Sequence, residues 1–128
     1  MKNKLELEYT INSSPKVLYS RLSTPGGLSE WFADDVNQQG KKYTFIWEGI
    51  EYPAEVILKK ENKYIRFKWV NNDDDIEEKL YFEFRVHQDE LTGDVALIII
   101  DFVDDEDMDS TTELWNSQVA ELKHVIGL

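Results

Sequence analysis

The sequence predicts an α+β fold: a curved antiparallel sheet of about six to seven strands, two short helices after the first strand, and a long C-terminal helix packed across the sheet. Three observations predict it. Apolar and polar residues alternate in one short run after another, which is the period of a strand with a single buried face. Two Ser/Thr-Pro pairs stand close together near the N-terminus, each a helix start signal. The closing stretch from Asp109 to Ile126 carries an apolar stripe at helical spacing and needs a sheet to lie on.

Leu5, Leu7, Tyr9 and Ile11 alternate with Glu6, Glu8 and Thr10, which predicts a half-buried first strand. Ser14 as N-cap and Pro15 at the first helical position open a short helix, with Val17, Leu18 and Leu22 as its expected buried face. Thr24-Pro25 repeats the signal, and Leu28, Trp31 and Phe32 follow at helical steps. Gly26-Gly27 keeps this second helix brief. Asp34 to Gln39 then reads as a weak strand ending in a turn at Gly40. Tyr43, Phe45 and Trp47 alternate with polar residues, and Glu48-Gly49 turns the chain. Tyr52, Ala54, Val56 and Leu58 share the next apolar parity, and Pro53 marks a strand start or a sheet edge. Ile65, Phe67 and Trp69 form another run, followed by an acidic loop over 71–78. Leu80, Phe82, Phe84 and Val86 alternate with Tyr81, Glu83, Arg85 and His87. Val95 to Phe102 is apolar on both parities, the pattern of a central strand covered on both faces. In the last helix Ser110 and Glu113 have capping-box spacing, Trp115, Val119, Leu122 and Ile126 make the stripe, and Gly127 ends it.

Composition bounds the chemistry. The 128 residues are expected to form one domain over 1–128, and 41% hydrophobic with 12% aromatic content is enough for a packed core. The absence of cysteine excludes disulfides, thiolate catalysis and Cys-ligated metals. No run approaches ~18 apolar residues and the N-terminus alternates and carries charge, so a cytoplasmic chain without stable membrane insertion is expected. The net charge of −12 lies wholly in the second half: residues 1–64 hold nine acids and nine bases, residues 65–128 seventeen and five. The excess sits in two runs, at 73–78 and 104–109. Such a chain repels phosphate backbones, so nucleic acid is not an expected partner, whereas a basic protein or a second copy of the chain is an alternative to a small ligand.

This order of elements resembles the helix-grip fold of START lipid-transfer domains and the birch-pollen-allergen superfamily. Thr24-Pro25-Gly-Gly-Leu28-Ser-Glu-Trp31 is similar to a Thr-Pro-x-x-Leu-x-x-Trp stretch in one START-like branch, the family homologous to the activator of the ninety-kilodalton heat-shock chaperone's ATPase. The passage Tyr43-Thr-Phe45-Ile-Trp47-Glu-Gly49 and a closing helix with Trp115 and Leu122 are similar as well. The resemblance spans essentially the whole chain. It implies the fold and an internal cavity between helix and sheet, and it carries over no catalytic residue.

The side chains expected to line that cavity are Trp31, Phe32, Tyr43, Trp47, Trp69, Phe84, Trp115, Val119 and Leu122, with Asp101 as the polar group. Aromatics on the buried parity of strands are usually core, so each can instead be plain core filling. Asp101 follows Val95, Leu97 and Ile99 on one parity, so its carboxylate either enters the cavity with a raised pKa or begins the exposed acidic turn. His87 and His124 both fall on polar positions, far apart, and no zinc set, phosphate loop or nucleophile elbow occurs. The acidic runs fail as calcium loops: counted from Asp105 the sixth and twelfth positions are Ser110 and Asn116, and from Asp73 they are Glu78 and Phe84. No cofactor or metal is therefore expected. The leading expectation is non-enzymatic binding of a small hydrophobic or lipid-like molecule. A protein-interaction module is second. A cyclase- or dehydratase-like enzyme, which would need Asp101 paired with a tyrosine such as Tyr43, is third.

Overall fold

The computed structural model describes residues 2–70 and 81–127. Its elements are β1 (Lys2–Thr10), α1 (Pro15–Ser23), α2 (Pro25–Leu28), β2 (Asp35–Gln39), β3 (Lys42–Trp47), β4 (Ile50–Lys60), β5 (Tyr64–Trp69), β6 (Tyr81–Gln88), β7 (Val95–Asp104) and α3 (Met108–Ile126). The seven strands form one antiparallel sheet in the order β1-β7-β6-β5-β4-β3-β2. β2 to β7 meander, and β1 closes the sheet beside β7. The helices lie on its concave face, the α+β helix-grip arrangement. The acidic run at 73–78 and Leu80 lie outside the described residues. No described helix is long and apolar enough to cross a membrane.

Local chemistry sets the helix starts. Ser14 Oγ accepts the Val17 N–H at 3.1 Å, and Thr24 Oγ1 accepts the Gly27 N–H at 3.0 Å, each just ahead of a proline at the first helical position. α2 is four residues long. Leu18, Tyr19 and Leu22 form the buried face of α1, whereas Val17, expected inside, is 44% exposed: one position early, it points off the face that meets β5 and β6. α3 begins at Met108 after a 3₁₀ turn at Asp105–Asp107, three residues before the Thr111 start that a Ser110 N-cap implies. The capping box does not form, because Ser110 already lies inside the helix and its hydroxyl donates to the Asp107 carbonyl at 3.1 Å. Gly127, at φ 96°, ends the helix as a left-handed cap.

Three strand expectations are corrected by register. A bulge between Val56 and Leu58 puts Leu58 opposite Arg66, on the outer face, so it leaves the parity of Tyr52, Ala54 and Val56. Pro53 lies inside β4, where its carbonyl accepts the Val70 N–H and its missing N–H ends the ladder to β5. β7 is second from the sheet edge rather than central. Its concave residues Val95, Leu97 and Ile99 are buried; on the outer face Ile100 is buried as well, while Ala96, Ile98 and Phe102 are half-buried.

The core fills the concavity with interlocking rings. Phe45, Phe67, Phe82 and Phe84 have essentially no exposed surface. Phe67 stacks on Phe82 at 5.0 Å, and Phe32 lies between the sheet and α3, edge-on to Phe45 and stacked on Trp115 at 5.6 Å. Trp115, Val119 and Leu122 bury the stripe of α3, with Ile126 partly buried beside them. Each fully buried side chain of this size contributes about 1.5–3 kcal/mol. On the outer face, Glu83 has no exposed surface despite its polar parity; Arg66 and Arg85 donate to its two carboxylate oxygens at 2.6 and 2.7 Å.

Candidate functional site

The site is a cleft of about 350 Å³ between the first half of α3 and the near ends of β3, β4 and β5. Phe32, Trp47, Trp69 and Trp115 form its aromatic walls, and among the described residues Asp101 contributes the one carboxylate. Tyr52, Leu114, Thr111 and Gln118 complete the lining. The space opens to solvent rather than being enclosed: Leu114 and Tyr52 at its rim are 58% and 42% exposed. Its size is at the small end of the range for ligand pockets, and its lining is apolar with few polar groups, as such pockets usually are.

Each wall has a local cause. Trp47 ends β3 just before the Glu48-Gly49 turn, whose positive φ angles of 52° and 78° reverse the chain tightly. Its indole N–H donates to the Phe32 carbonyl at 2.9 Å, and Gln118 Nε2 of α3 donates to the same oxygen at 3.1 Å. That carbonyl thus ties the end of the α2 segment to both β3 and α3. Trp47 also packs against Trp69 at 6.3 Å and Tyr52 at 5.5 Å, so the three rings are contiguous.

Asp101 lies three residues before the end of β7, on the concave parity. The Trp115 indole N–H donates to its Oδ2 at 3.0 Å, and the Phe102 backbone N–H donates to its Oδ1 at 2.8 Å. Burial pushes its carboxyl pKa above the ordinary value, while those two hydrogen bonds and the charge of Lys2 oppose the rise. The acidic turn begins only after β7 ends at Asp104. There Asp104, Glu106 and Asp107 bring carboxylate oxygens within 4.8 Å of one another, and all three are exposed or half-exposed.

The structure therefore brings together Phe32, Trp47, Trp69, Asp101 and Trp115 out of the ten residues that the sequence singles out. The other five take different places. Trp31 is 5% exposed, and its indole N–H donates to the Arg21 carbonyl at 2.8 Å, tying α1 to the chain after α2. Tyr43 donates its hydroxyl to the Ser23 carbonyl at 2.6 Å and packs on Phe67; burial raises its pKa. Phe84, Val119 and Leu122 are core. Tyr43 and Asp101 are not brought together, since β4, β5 and β6 separate their strands, so that acid–base pair does not form. His87 and His124 are both exposed. Sequence reading missed Leu114 because it lies off the α3 stripe, and Thr111 and Gln118 because nothing in a polar helical position marks it as a cleft wall. Tyr52 carried a signal: it shares the apolar parity of β4 yet stands near the strand's free end.

A larger depression of about 710 Å³ lies on the outer face, between Lys60, Lys63, Arg85, His87, Asp89 and Glu90. It is lined mainly by exposed charged groups of both signs, and so lacks the apolar walls of the cleft beside Trp115.

A family model for the START-like superfamily domain matches residues 1–128. The solution structure of BfR322 from Bacteroides fragilis is 40% identical, with a TM-score of 0.68 over 99% of this chain and 93% of that one. The fold is also similar to the Aha1 dimer from Colwellia psychrerythraea, at 18% identity and a TM-score of 0.78 over 94% of this chain and 93% of that one. MLL2253 from Mesorhizobium loti is 16% identical, with a TM-score of 0.73 over 97% and 96% of the two chains. Among curated proteins none matches.

Proposed function

The chain belongs to the START-like superfamily, and on that footing we propose that it binds a small apolar molecule, without chemical conversion, in the cleft beside Trp115. The observation that carries this reading is the cleft itself, a concave, mostly apolar space walled by Phe32, Trp47, Trp69 and Trp115. Covering ~300 Å² of apolar ligand surface yields about 7.5 kcal/mol before the costs of association, which points to micromolar affinity or weaker. The one acid–base pair the enzyme reading named, Asp101 with Tyr43, is not assembled, which supports the binding reading.

The neutral fluorophore N-phenyl-1-naphthylamine tests this reading. It should quench tryptophan emission saturably at micromolar concentration. Leu114→Lys, which puts a charge on the apolar rim, should weaken binding about fivefold or more. Lys60→Ala, in the outer depression, should leave it unchanged. Binding that responds to Lys60→Ala and ignores Leu114→Lys would refute the assignment.

A second reading has its own support. Ile50, Tyr52 and Leu114 are large, apolar and more than 40% exposed around the cleft mouth, and the similar Aha1 protein was solved as a dimer. On that reading the rim pairs with a second copy of the chain. Sedimentation across a wide concentration range separates the two: a dimer that Leu114→Lys dissociates supports pairing, and a monomer throughout removes it.

A further inference from the structure

We infer that the cleft takes an organic cation, an ammonium group on an apolar body, with the charge beside Asp101 and the body against the aromatic wall. This rests on the reading of the cleft as a binding site. Among the described residues Asp101 is the one charged side chain in the lining. Both of its hydrogen-bond donors, the Trp115 indole and the Phe102 backbone, are neutral, so neither cancels its charge. Among the described residues no lysine or arginine forms an ion pair with it. Lys2 of β1, whose charge acts on it, forms an ion pair with Asp104 at 3.4 Å. β6 presents Phe82 and Phe84 on the same face, and α3 presents Trp115.

A half-buried carboxylate among rings is a poor neighbour for an anion and a good one for a cation. The contiguous rings of Trp47, Trp69 and Tyr52 add an electron-rich surface that attracts ammonium groups. The field of the molecule acts in the same direction, since its net charge is −12 and Asp105, Glu106 and Asp107 follow β7 directly. A fatty acid or other apolar anion would meet repulsion at both scales.

The test uses three probes of one shape in calorimetric titrations: (3-phenylpropyl)trimethylammonium, the isostere in which a tert-butyl group replaces the trimethylammonium, and 4-phenylbutyrate. The cation should bind roughly tenfold or more tighter than the neutral isostere, and the anion weakest. Asp101→Asn should shrink the cation's advantage to about threefold or less while the neutral isostere keeps its affinity. The quaternary ammonium does not titrate, so in the wild-type protein its affinity should fall as the pH is lowered through the titration of Asp101, and that of the isostere should not. Equal binding of cation and isostere would overturn the cation assignment and leave the cleft reading standing. Failure of all three probes to bind would overturn both.

Discussion

Asp101 and Trp115 are the residues on which the site turns. The indole N–H holds the carboxylate at the cleft wall, and burial raises the carboxyl pKa above its unfolded value. The folded protein therefore binds this proton more tightly than the unfolded chain. The stabilisation tied to that proton is fully present below the unfolded pKa of about 3.9 and is lost as pH rises through the folded pKa. Asp104 and Asp89 behave oppositely: hydrogen bonding to Lys2 lowers the first and backbone N–H groups of the Asp89 turn lower the second, so their contribution is lost as pH falls. Asp101→Asn keeps an acceptor for the indole and removes the charge. Its melting temperature should gain on that of the wild type as pH is raised from about 4 to about 7; a difference that does not change with pH would contradict this account. The parity of β7 made Asp101 legible in the sequence. Glu83 was not legible, because alternation placed it outward and only the pairing of β5 with β6 sets Arg66 opposite it, with Arg85 two residues along.

At the scale of elements, the cleft floor depends on the junction of α1 and α2. Phe32 and Trp31 follow α2, and α2 packs against α1 at Gly27. A Cβ there would stand 2.4 Å from the Ser20 carbonyl oxygen and 2.7 Å from the Arg21 Cα, both backbone atoms, whereas one on Gly26 would meet nothing within 4 Å. Gly27→Ala should cost on the order of 1–3 kcal/mol in denaturant unfolding and loosen probe binding. Gly26→Ala should be neutral or stabilise by roughly 0.5–1 kcal/mol through helix propensity. Equal effects at the two positions would show that the junction is not close-packed. The sequence marked both helix starts through Ser14-Pro15 and Thr24-Pro25, since capping is a local interaction. It did not separate the two glycines, because the contact at Gly27 comes from a different helix. The bulge in β4 escaped for the same kind of reason: Val56, Ile57 and Leu58 are all apolar, and only the partner strand shows which of them is extra.

At the scale of the molecule, one sheet wraps a core of rings and leaves an apolar cleft beside the first half of α3. The fold was legible because most strands show their buried face by alternation and α3 shows its stripe. The site was half legible. Alternation says which aromatics point inward but not which of them the core consumes, and that depends on how far α1, α2 and α3 each reach over the sheet. Trp31 and Trp47 look alike in sequence, yet Trp31 is tied to the Arg21 carbonyl in the core and Trp47 to the Phe32 carbonyl at the cleft. Three of the four tryptophans thus line the cleft and Trp31 does not, and their indole N–H signals read the division directly. In a ¹H–¹⁵N spectrum titrated with N-phenyl-1-naphthylamine, the indole signals of Trp47, Trp69 and Trp115 should move together while that of Trp31 stays in place. Movement of Trp31 alone, or shifts confined to the outer-face residues around Lys60 and Arg85, would contradict the assignment of the binding site.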